Sequence, residues 1–433
     1  MPQMKILLLG ANGFIGSIIL MRLLRDGHEV TGLGRQIQRS MRRWPMAKWV
    51  ARDLANMTGP EAWHDLIQAH DVIINCAGAL QDGQADDLVS TQLEAMRALY
   101  HAASLASGKK IVQISARTDG LASNLPFLAT KRCADEALAA SGVDFVILRP
   151  ALVLGRNAHG GSALLRALAS IPVVIPLVHA ASTVQTVAVD DVADAVSKAV
   201  EGDLPSGTDI DLSSKELMTL SDLVKLHRRW LGLTSGRVLP VPRPVAALVS
   251  QLADLSGKLG WRSPLRSTAI AVMEHGVTGG GQGRCIDDKL SFQTARQTLD
   301  AHPAGVQDLW FARLYLLKPV ILLCLSTFWL LSGLIPLLNP ERAAFHLLPF
   351  MPPFMAMFVT LATCGIDIAL GVFLLIRPFA ARALIGMLVV AASYLLAGTI
   401  LEPGLWLDPL GPLVKVLPSL SLCLVALATL DER

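Results

Sequence analysis

Three glycines near the start of the chain have the spacing of a turn that holds a dinucleotide. Gly10, Gly13 and Gly16 follow a short apolar run at 5–9 and open an apolar-rich stretch at 15–24. A pyrophosphate needs a tight turn, close approach of the backbone, and the free N–H groups of a helix N-terminus. Since strand, glycines, helix and a second strand occur in this order, we predict a nucleotide-binding βαβ unit.

The segments that must position this turn alternate between strand and helix patterns. Short apolar runs, typical of buried parallel strands, are separated by helical stretches. The predicted strands cover 5–9, 29–33, 72–75, 110–114 and 145–148, and the predicted helices cover 15–24, 88–107 and 130–141. We therefore predict an α/β fold with a doubly wound, Rossmann-type parallel sheet. Residues 1–155 would form its NAD(P)-binding core, and residues 156–310 would cover the substrate.

The residues after the second predicted strand bear on the choice of cofactor. No Asp or Glu occurs between Val30 and Trp49, whereas four arginines do, beginning with Arg35. An acidic residue there would bind the ribose 2′-hydroxyl of NAD, and an arginine suits the 2′-phosphate of NADP. We predict NADP with Arg35 at its phosphate. NAD, with a solvated basic loop, is the alternative.

Six motifs in the first 200 residues point to one superfamily. They are G-A-N-G-F-I-G at 10–16, D-L at 53–54, N-C-A-G at 75–78, I-S at 114–115, L-R-P-A-L-V-L-G at 148–155 and V-D-D-V-A at 189–193. In this order they resemble the short-chain dehydrogenase/reductase superfamily, especially its extended and atypical branch, which includes a complex I accessory subunit and NmrA-like proteins. The resemblance implies cofactor contacts at Gly10, Asn12, Gly13, Phe14, Ile15, Gly16, Asp53, Leu54, Ala77, Gly78 and Lys131.

The chain departs from this superfamily at the position that carries the reaction. The family pattern Tyr-x-x-x-Lys is replaced by Phe127-Leu-Ala-Thr-Lys131, while Ser115 is retained. In the family, the lysine lowers the tyrosine pKa so that the phenol can transfer a proton, which Phe127 cannot do. The resemblance implies that Ser115 and Lys131 are the catalytic residues and that Lys131 also binds ribose. The alternatives are a surface lysine and a structural serine.

The C-terminal part of the chain has the composition of a membrane domain. Only 11 charged residues follow Lys318, and the apolar stretches between them are long enough to cross a bilayer. We predict an all-α domain over 311–433 with four spans, at about 319–340, 354–376, 383–401 and a shorter one at 412–430. Arg377 and Arg382 lie in the connection between the second and third predicted spans. This predicts a multi-pass protein of the cell (inner) membrane with its N-terminal domain cytoplasmic.

The membrane segment also resembles the DoxX-like family. The matching motifs are F-W-L-L-S-G at 328–333 and W-L-D-P-L-G-P-L-V-K at 406–415. The resemblance implies an association with quinone-linked redox chemistry. Asp367 lies inside the second predicted span, where a carboxylate usually faces a partner, water or a polar cavity. Its role is therefore either functional or that of an uncharged, hydrogen-bonded structural residue.

The overall composition excludes several classes of function. The net charge of +3 does not suggest nucleic acid as a partner, and the six cysteines have no metal-site or disulfide spacing. No signal-peptide pattern precedes the first strand, so we expect the N-terminal part to face a reducing cytosol. We expect no bound metal.

Two functional hypotheses follow from these features. The first is a membrane-anchored NAD(P)-dependent oxidoreductase or epimerase-like enzyme that acts on a lipid or quinone-like substrate and takes its proton from a group other than Phe127. The second is a non-catalytic NAD(P)H-binding scaffold or sensor, which the missing tyrosine favours.

Overall fold

A computed structural model describes residues 2–78, 82–83, 87–118, 123–274, 276–278 and 290–431. The chain divides into two compact units. The first contains residues 1–254 and 263–312, and the second contains residues 255–262 and 313–433. The sequence did not predict that the short segment 255–262 belongs with the membrane domain.

The strands of the first unit are mostly short. In chain order they are β1 (Lys5–Leu9), β2 (Glu29–Gly34), β3 (Lys48–Ala51), β4 (Val72–Asn75), β5 (Lys110–Ile114), β6 (Asp144–Pro150), β7 (Leu152–Leu154), β8 (Val174–Leu177), β9 (Thr183–Val184), β10 (Thr186–Ala188), β11 (Thr208–Leu212), β12 (Met218–Thr219) and β13 (Arg237–Pro240). Within the described residues, seven of them form one parallel sheet in the order β3-β2-β1-β4-β5-β6-β11. The predicted doubly wound sheet is confirmed.

The helices of both units follow the same chain order. They are α1 (Phe14–Arg25), α2 (Gln38–Arg43), α3 (His64–Ala69), α4 (Ala95–Ser104), α5 (Pro126–Ala139), α6 (Gly161–Ala169), α7 (Val189–Glu201), α8 (Leu220–Trp230), α9 (Arg243–Lys258), α10 (Ser267–Glu274), α11 (Ala295–Asp300), α12 (Val306–Leu337), α13 (Pro340–Phe345), α14 (Pro353–Leu375), α15 (Arg377–Leu401) and α16 (Leu417–Thr429). A π-helical turn at Ser90–Glu94 precedes α4.

Strands β1 and β4, at the centre of the sheet, are buried on both faces, which explains why they are nearly continuous apolar runs. In β1, Ile6 and Leu8 pack into the core that includes residues of α1 and α7. Leu7 and Leu9 point to the opposite face and pack with residues of α3, α4 and α5. Because successive strand residues point to opposite faces, a strand covered on both sides is predominantly apolar.

The strand order reverses between β1 and β4, which places a crevice at their carboxyl ends. The chain runs outward from β1 to β2 and β3 on one side, and from β4 to β5, β6 and β11 on the other. In open parallel sheets, ligands bind at this reversal, beyond the carboxyl ends of the strands. The glycine turn that follows β1 lies there.

The second unit is helical, and it contains two helices long enough to cross a membrane and, from residue 313 onward, most of a third. Among the described residues these are α12, α14 and α15. The first begins at Val306, earlier than the predicted span at 319. The fourth predicted span is helical over Leu417–Thr429, after a short 3-10 turn at Val414–Val416, and falls below the length of the other three.

Small residues allow these helices to approach each other. A Cβ at Gly371 would lie 2.8 Å from Leu330 Cγ, and one at Gly333 would lie 2.6 Å from the carbonyl oxygen of Cys364. Ser326 Oγ donates to the carbonyl oxygen of Gly371 at 2.8 Å, which links α12 to α14. Tyr394 in α15 donates to Asp367 in α14 at 3.0 Å. Asp367 therefore has a hydrogen-bond partner within the bundle.

Candidate functional site

The three glycines of the first turn have different structural roles. Gly10 has φ of +70°, and a Cβ there would lie 3.0 Å from the backbone of Ala77. A Cβ on Gly16 would overlap the carbonyl oxygen of Gly10. Gly13 makes the tight turn, since its N–H donates to the Gly10 carbonyl at 2.9 Å. A side chain at any of these positions would displace backbone that closes the turn.

The N-terminus of α1 is suited to bind an anion. The helix begins directly after Gly13, which has no side chain to cap it, and its first turn contains no acidic residue. The first amides of a helix have no intrahelical partner, and its N-terminus carries partial positive charge. Phe14 and Ile15 supply such amides. The open cradle of glycine backbone and free N–H groups fits the pyrophosphate of a dinucleotide.

Four residues predicted to contact the cofactor lie beyond the carboxyl ends of β1, β2 and β3. Asn12 donates to the carbonyl oxygen of Gln36 at 3.5 Å, and Arg35 is exposed beside it. Asp53 follows β3, and its carboxylate accepts a hydrogen bond from the Ala55 N–H at 3.2 Å. Leu54 is buried in the core. The structure brings these residues to one edge of the sheet, and their cofactor contacts stay predictions.

A buried polar network supports the loop after β4. Asn75 Oδ1 accepts a hydrogen bond from the Ala77 N–H at 3.0 Å, and Asn75 Nδ2 donates to Gln113 Oε1 at 3.0 Å. The Tyr100 hydroxyl donates to the same Gln113 oxygen at 3.2 Å. This network holds Ala77 against the Gly10 turn. Burial raises the pKa of the Cys76 thiol to about 12, so this residue stays protonated.

One face of α5 presents Phe127, Lys131 and Asp135, which follow each other at intervals of four residues. Lys131 is only 8% exposed, so it is not a surface lysine. Its Nζ donates to the Ile114 carbonyl at 3.1 Å and lies 5.8 Å from the Phe127 ring centroid. A Cβ built on Gly78 would lie 3.7 Å from the same Nζ. Burial lowers the Lys131 pKa, and the nearby Asp135 carboxylate opposes this shift.

Ser115 is engaged with an acidic side chain that the sequence analysis missed. Its Oγ is buried and donates to Asp135 Oδ2 at 2.5 Å. The same oxygen accepts from Arg149 at 2.8 Å, and Arg149 also forms two hydrogen bonds with Asp209, at 2.6 and 2.8 Å. Burial raises the pKa of Asp135, although Arg149 opposes the shift.

The Ser115–Asp135 and Asp135–Arg149 pairs determine which proton transfers are available at the carboxyl end of β5. Within the described residues, Asp135 Oδ1 is buried without a hydrogen-bond partner.

Asp135 could have been found from its position four residues after Lys131, and Arg149 from its place at a strand end in the L-R-P motif. Among the described residues, no group of three or more His, Cys, Asp or Glu side chains is arranged to hold a metal ion.

Comparison with known proteins matches both parts of the chain. Residues 6–212 match the NAD dependent epimerase/dehydratase family, and residues 326–424 match the DoxX-like family. The uncharacterized sugar epimerase YhfK of Bacillus subtilis is 30% identical over 155 residues, which cover 34% of this chain and 71% of YhfK. An uncharacterized protein of Mycobacterium tuberculosis is 26% identical over 254 residues, which are 58% of this chain but only 26% of that protein.

Solved structures are similar to this chain at low sequence identity. Pal from Bacillus thuringiensis has a TM-score of 0.52 and 17% identity, with 71% of this chain and 100% of that chain covered. UDP-glucuronic acid 4-epimerase from Bacillus cereus, solved in complex with NAD, has a TM-score of 0.49 and 18% identity over the same shares. Because residues 6–212 match its model and YhfK is 30% identical with 71% of its length covered, the chain belongs to the NAD-dependent epimerase/dehydratase family, and it carries a DoxX-like, membrane-associated domain on its C-terminal side.

Proposed function

We propose that this protein is a membrane-anchored NAD(P)-binding protein that holds its dinucleotide as a bound ligand, in the manner of a sensor or scaffold. The observation that supports this most directly is the state of the three side chains where the superfamily keeps its acid–base residues. Phe127 has no proton to transfer, Ser115 donates its proton to Asp135, and Lys131 donates to a backbone carbonyl. None of the three is poised to protonate a substrate.

The same chain retains what is needed to bind the cofactor. The Gly10, Gly13 and Gly16 turn and the first amides of α1 would hold the pyrophosphate. Lys131 would hold a ribose, and Arg35 would contact a 2′-phosphate, which favours NADP. The absence of an acidic residue after β2 supports the same choice, whereas the NAD bound to the Bacillus cereus epimerase supports NAD. A bound nicotinamide would supply or accept a hydride.

A second candidate function is an oxidoreductase or epimerase-like enzyme, and Asp135 is the observation that favours it. Its carboxyl contacts Ser115 Oγ at 2.5 Å, and burial raises its pKa, so the two residues would together form a proton source. Ser115 would pass its proton to a substrate oxygen, and a protonated Asp135 would return one to Ser115 Oγ. General acid assistance of this kind is typically worth about 10²–10⁴ in rate.

Membrane attachment sets the class of substrate in this second case. A protein anchored by apolar helices meets lipid-soluble molecules, so we propose a lipid or quinone-like substrate reached from the membrane. The quinone-linked chemistry implied by the DoxX-like resemblance supports the same class. The proposed location is the inner membrane, with the dinucleotide unit in the cytoplasm, which the arginines of the connection between the second and third spans support.

Cofactor binding and turnover separate these functions. The full chain in detergent is titrated with NADPH and NADH by nicotinamide fluorescence, and then mixed with a soluble quinone or a membrane lipid extract. We expect binding without multiple turnover. Gly13→Val should abolish binding, whereas Gly161→Ala, at a position with open space around it, should leave binding unchanged.

Two outcomes would contradict the proposal. Undiminished NADPH or NADH binding by a folded Gly13→Val protein would show that the dinucleotide does not bind at the glycine turn. Multiple turnover by the wild-type protein that is lost in Asp135→Asn, with cofactor affinity retained, would establish the oxidoreductase instead.

A further inference from the structure

Helix α9 exposes its large apolar residues and buries four small ones. Leu248, Leu252 and Leu255 are 58%, 59% and 56% exposed, and Val245 and Val249 lie on the same face. The opposite face, formed by Ala246, Ser250, Ala253 and Gly257, is buried. At 100° per residue the exposed residues form one continuous stripe about three turns long. In a water-exposed helix this pattern would be reversed.

The chain after α9 is fixed to one end of the membrane helices. Trp261 Nε1 donates to the Leu375 carbonyl at 2.6 Å, where α14 ends. The Arg377 N–H donates to the Leu259 carbonyl at 2.9 Å, and the Arg377 guanidinium lies 5.4 Å from the Trp261 ring. Tryptophan and arginine are the residues expected at the level of lipid headgroups. The C-terminal end of α9 therefore leads directly into a segment at the membrane–water boundary.

Basic side chains line a cavity at the start of α9, where Arg243 is the first residue of the helix. This cavity of about 720 Å³ is lined by Lys225, Arg237 and Arg243, together with His179. Two of these cations have acidic neighbours, since Lys225 lies 3.7 Å from Asp222 and Arg243 lies 3.4 Å from Glu274, all four being largely exposed. Exposed pairs of this kind are weak and can be exchanged for phosphate contacts.

From these features we infer that α9 lies in the plane of the membrane surface, with its leucine and valine stripe inserted among the acyl chains and with anionic phospholipid headgroups at its basic end. An interfacial helix combines an apolar face with nearby cations in this way, and its binding grows with the buried apolar area and with attraction to anionic lipid. Trp261, three residues after the end of α9, is attached to a membrane helix. For this reason we take the bilayer to be what covers the apolar face of α9.

The inference is tested by measuring the depth of single spin labels in the full chain. Leu252→Cys and Ala247→Cys are made in a cysteine-free background, labelled with a nitroxide, and placed one copy per nanodisc. Ala247 is exposed on the polar side of the same helix and is the matched control. Collision rates with oxygen, which enriches in acyl chains, and with a water-soluble nickel complex are compared in zwitterionic discs and in discs that contain phosphatidylglycerol.

We expect the label at 252 to collide several-fold less often with nickel and more often with oxygen than the label at 247. We also expect the label at 252 to move deeper in anionic discs, a shift that Arg237→Gln with Arg243→Gln should abolish. Equal nickel access at both positions would overturn the inference. So would protection at 252 that occurs only with two copies per disc and comes with dipolar broadening, because the stripe would then be a self-association surface. Circular dichroism and a single elution peak verify that each variant is folded.

Discussion

Replacing Arg149 by methionine should destabilise the carboxyl edge of the sheet, because it leaves a buried carboxylate without its cation. Arg149 contacts Asp135 at 2.8 Å, and the Asp135 side chain is only 5% exposed. Removing one partner of a buried pair typically costs about 3–5 kcal/mol. The other contact, with Asp209, adds little, since that side chain is 45% exposed and exposed pairs are worth about 0–1 kcal/mol.

This loss should depend on pH with a definite sign. Burial already raises the folded-state pKa of Asp135 above its unfolded value, and losing Arg149 should raise it further. For a carboxyl with a raised folded pKa, the folded state binds more protons than the unfolded state between the two pKa values. Stability is therefore gained as pH falls through the folded pKa, and the deficit of Arg149→Met should shrink in acid.

Hydrogen exchange measures this loss locally, which avoids assuming that a chain with two units unfolds in one step. Peptides that cover β5 and β6 are followed by mass spectrometry in nanodiscs under conditions where exchange reports the opening equilibrium. A loss of 3–5 kcal/mol corresponds to exchange about 10²–10⁴ times faster in the variant. Asp209→Asn is the control for the exposed contact and should change the rate less than about tenfold.

The double variant Arg149→Met with Asp135→Asn decides whether the buried charge is the cause. It removes both charges, so most of the lost protection should return. If the double variant exchanges as fast as Arg149→Met alone, the destabilisation comes from lost packing, and the electrostatic argument is refuted.

Three further changes test other parts of the molecule. Gly16→Ala should lower stability by about 1–3 kcal/mol and abolish NADPH binding, because its Cβ would overlap the Gly10 carbonyl and push α1 away from β1. Denaturant titration measures the stability and nicotinamide fluorescence measures the binding. A folded variant that still binds NADPH would contradict this prediction. Arg35→Ala should weaken NADPH more than NADH by about 1.5–3 kcal/mol, and equal losses in calorimetric titrations would refute the NADP preference. Tyr394→Phe should destabilise the membrane helices by about 0.6–1.7 kcal/mol through loss of the Asp367 hydrogen bond, and an unchanged midpoint in detergent unfolding would show that water replaces the phenol.

The strands and helices that carry the glycine turn could be predicted because each is determined by a local pattern. The predicted strands at 5–9, 72–75 and 110–114 have the bounds that the structure gives to β1, β4 and β5. A strand covered on both faces is mostly apolar, and a small residue follows each of these runs: Gly10 after β1, Cys76 after β4 and Ser115 after β5. Hydropathy located the membrane segments for the same reason, since every residue of a span meets an apolar environment.

The residues at which helices begin, and the contacts between segments that are distant in the chain, were harder to predict. α12 begins at Val306, because a helix can continue through the polar residues before the span while hydropathy detects only its apolar part. The segment 255–262 joins the membrane unit through the Trp261 and Arg377 contacts, although its composition resembles that of a soluble loop. These contacts join residues more than a hundred positions apart, which no local pattern records.

The sequence by itself determined the dinucleotide turn, the alternation of strand and helix, the membrane helices and the absence of a tyrosine before Lys131. Each follows from the residue types within a short window. Only the tertiary structure decided what Ser115 and Lys131 contact. The partner of Ser115 depends on how β5, β6 and α5 come together, because their register brings Ser115, Asp135 and Arg149 within hydrogen-bond distance. The direction of a hydroxyl proton is set by the nearest strong acceptor in space, and here that acceptor is a carboxylate that is 20 residues away in the chain.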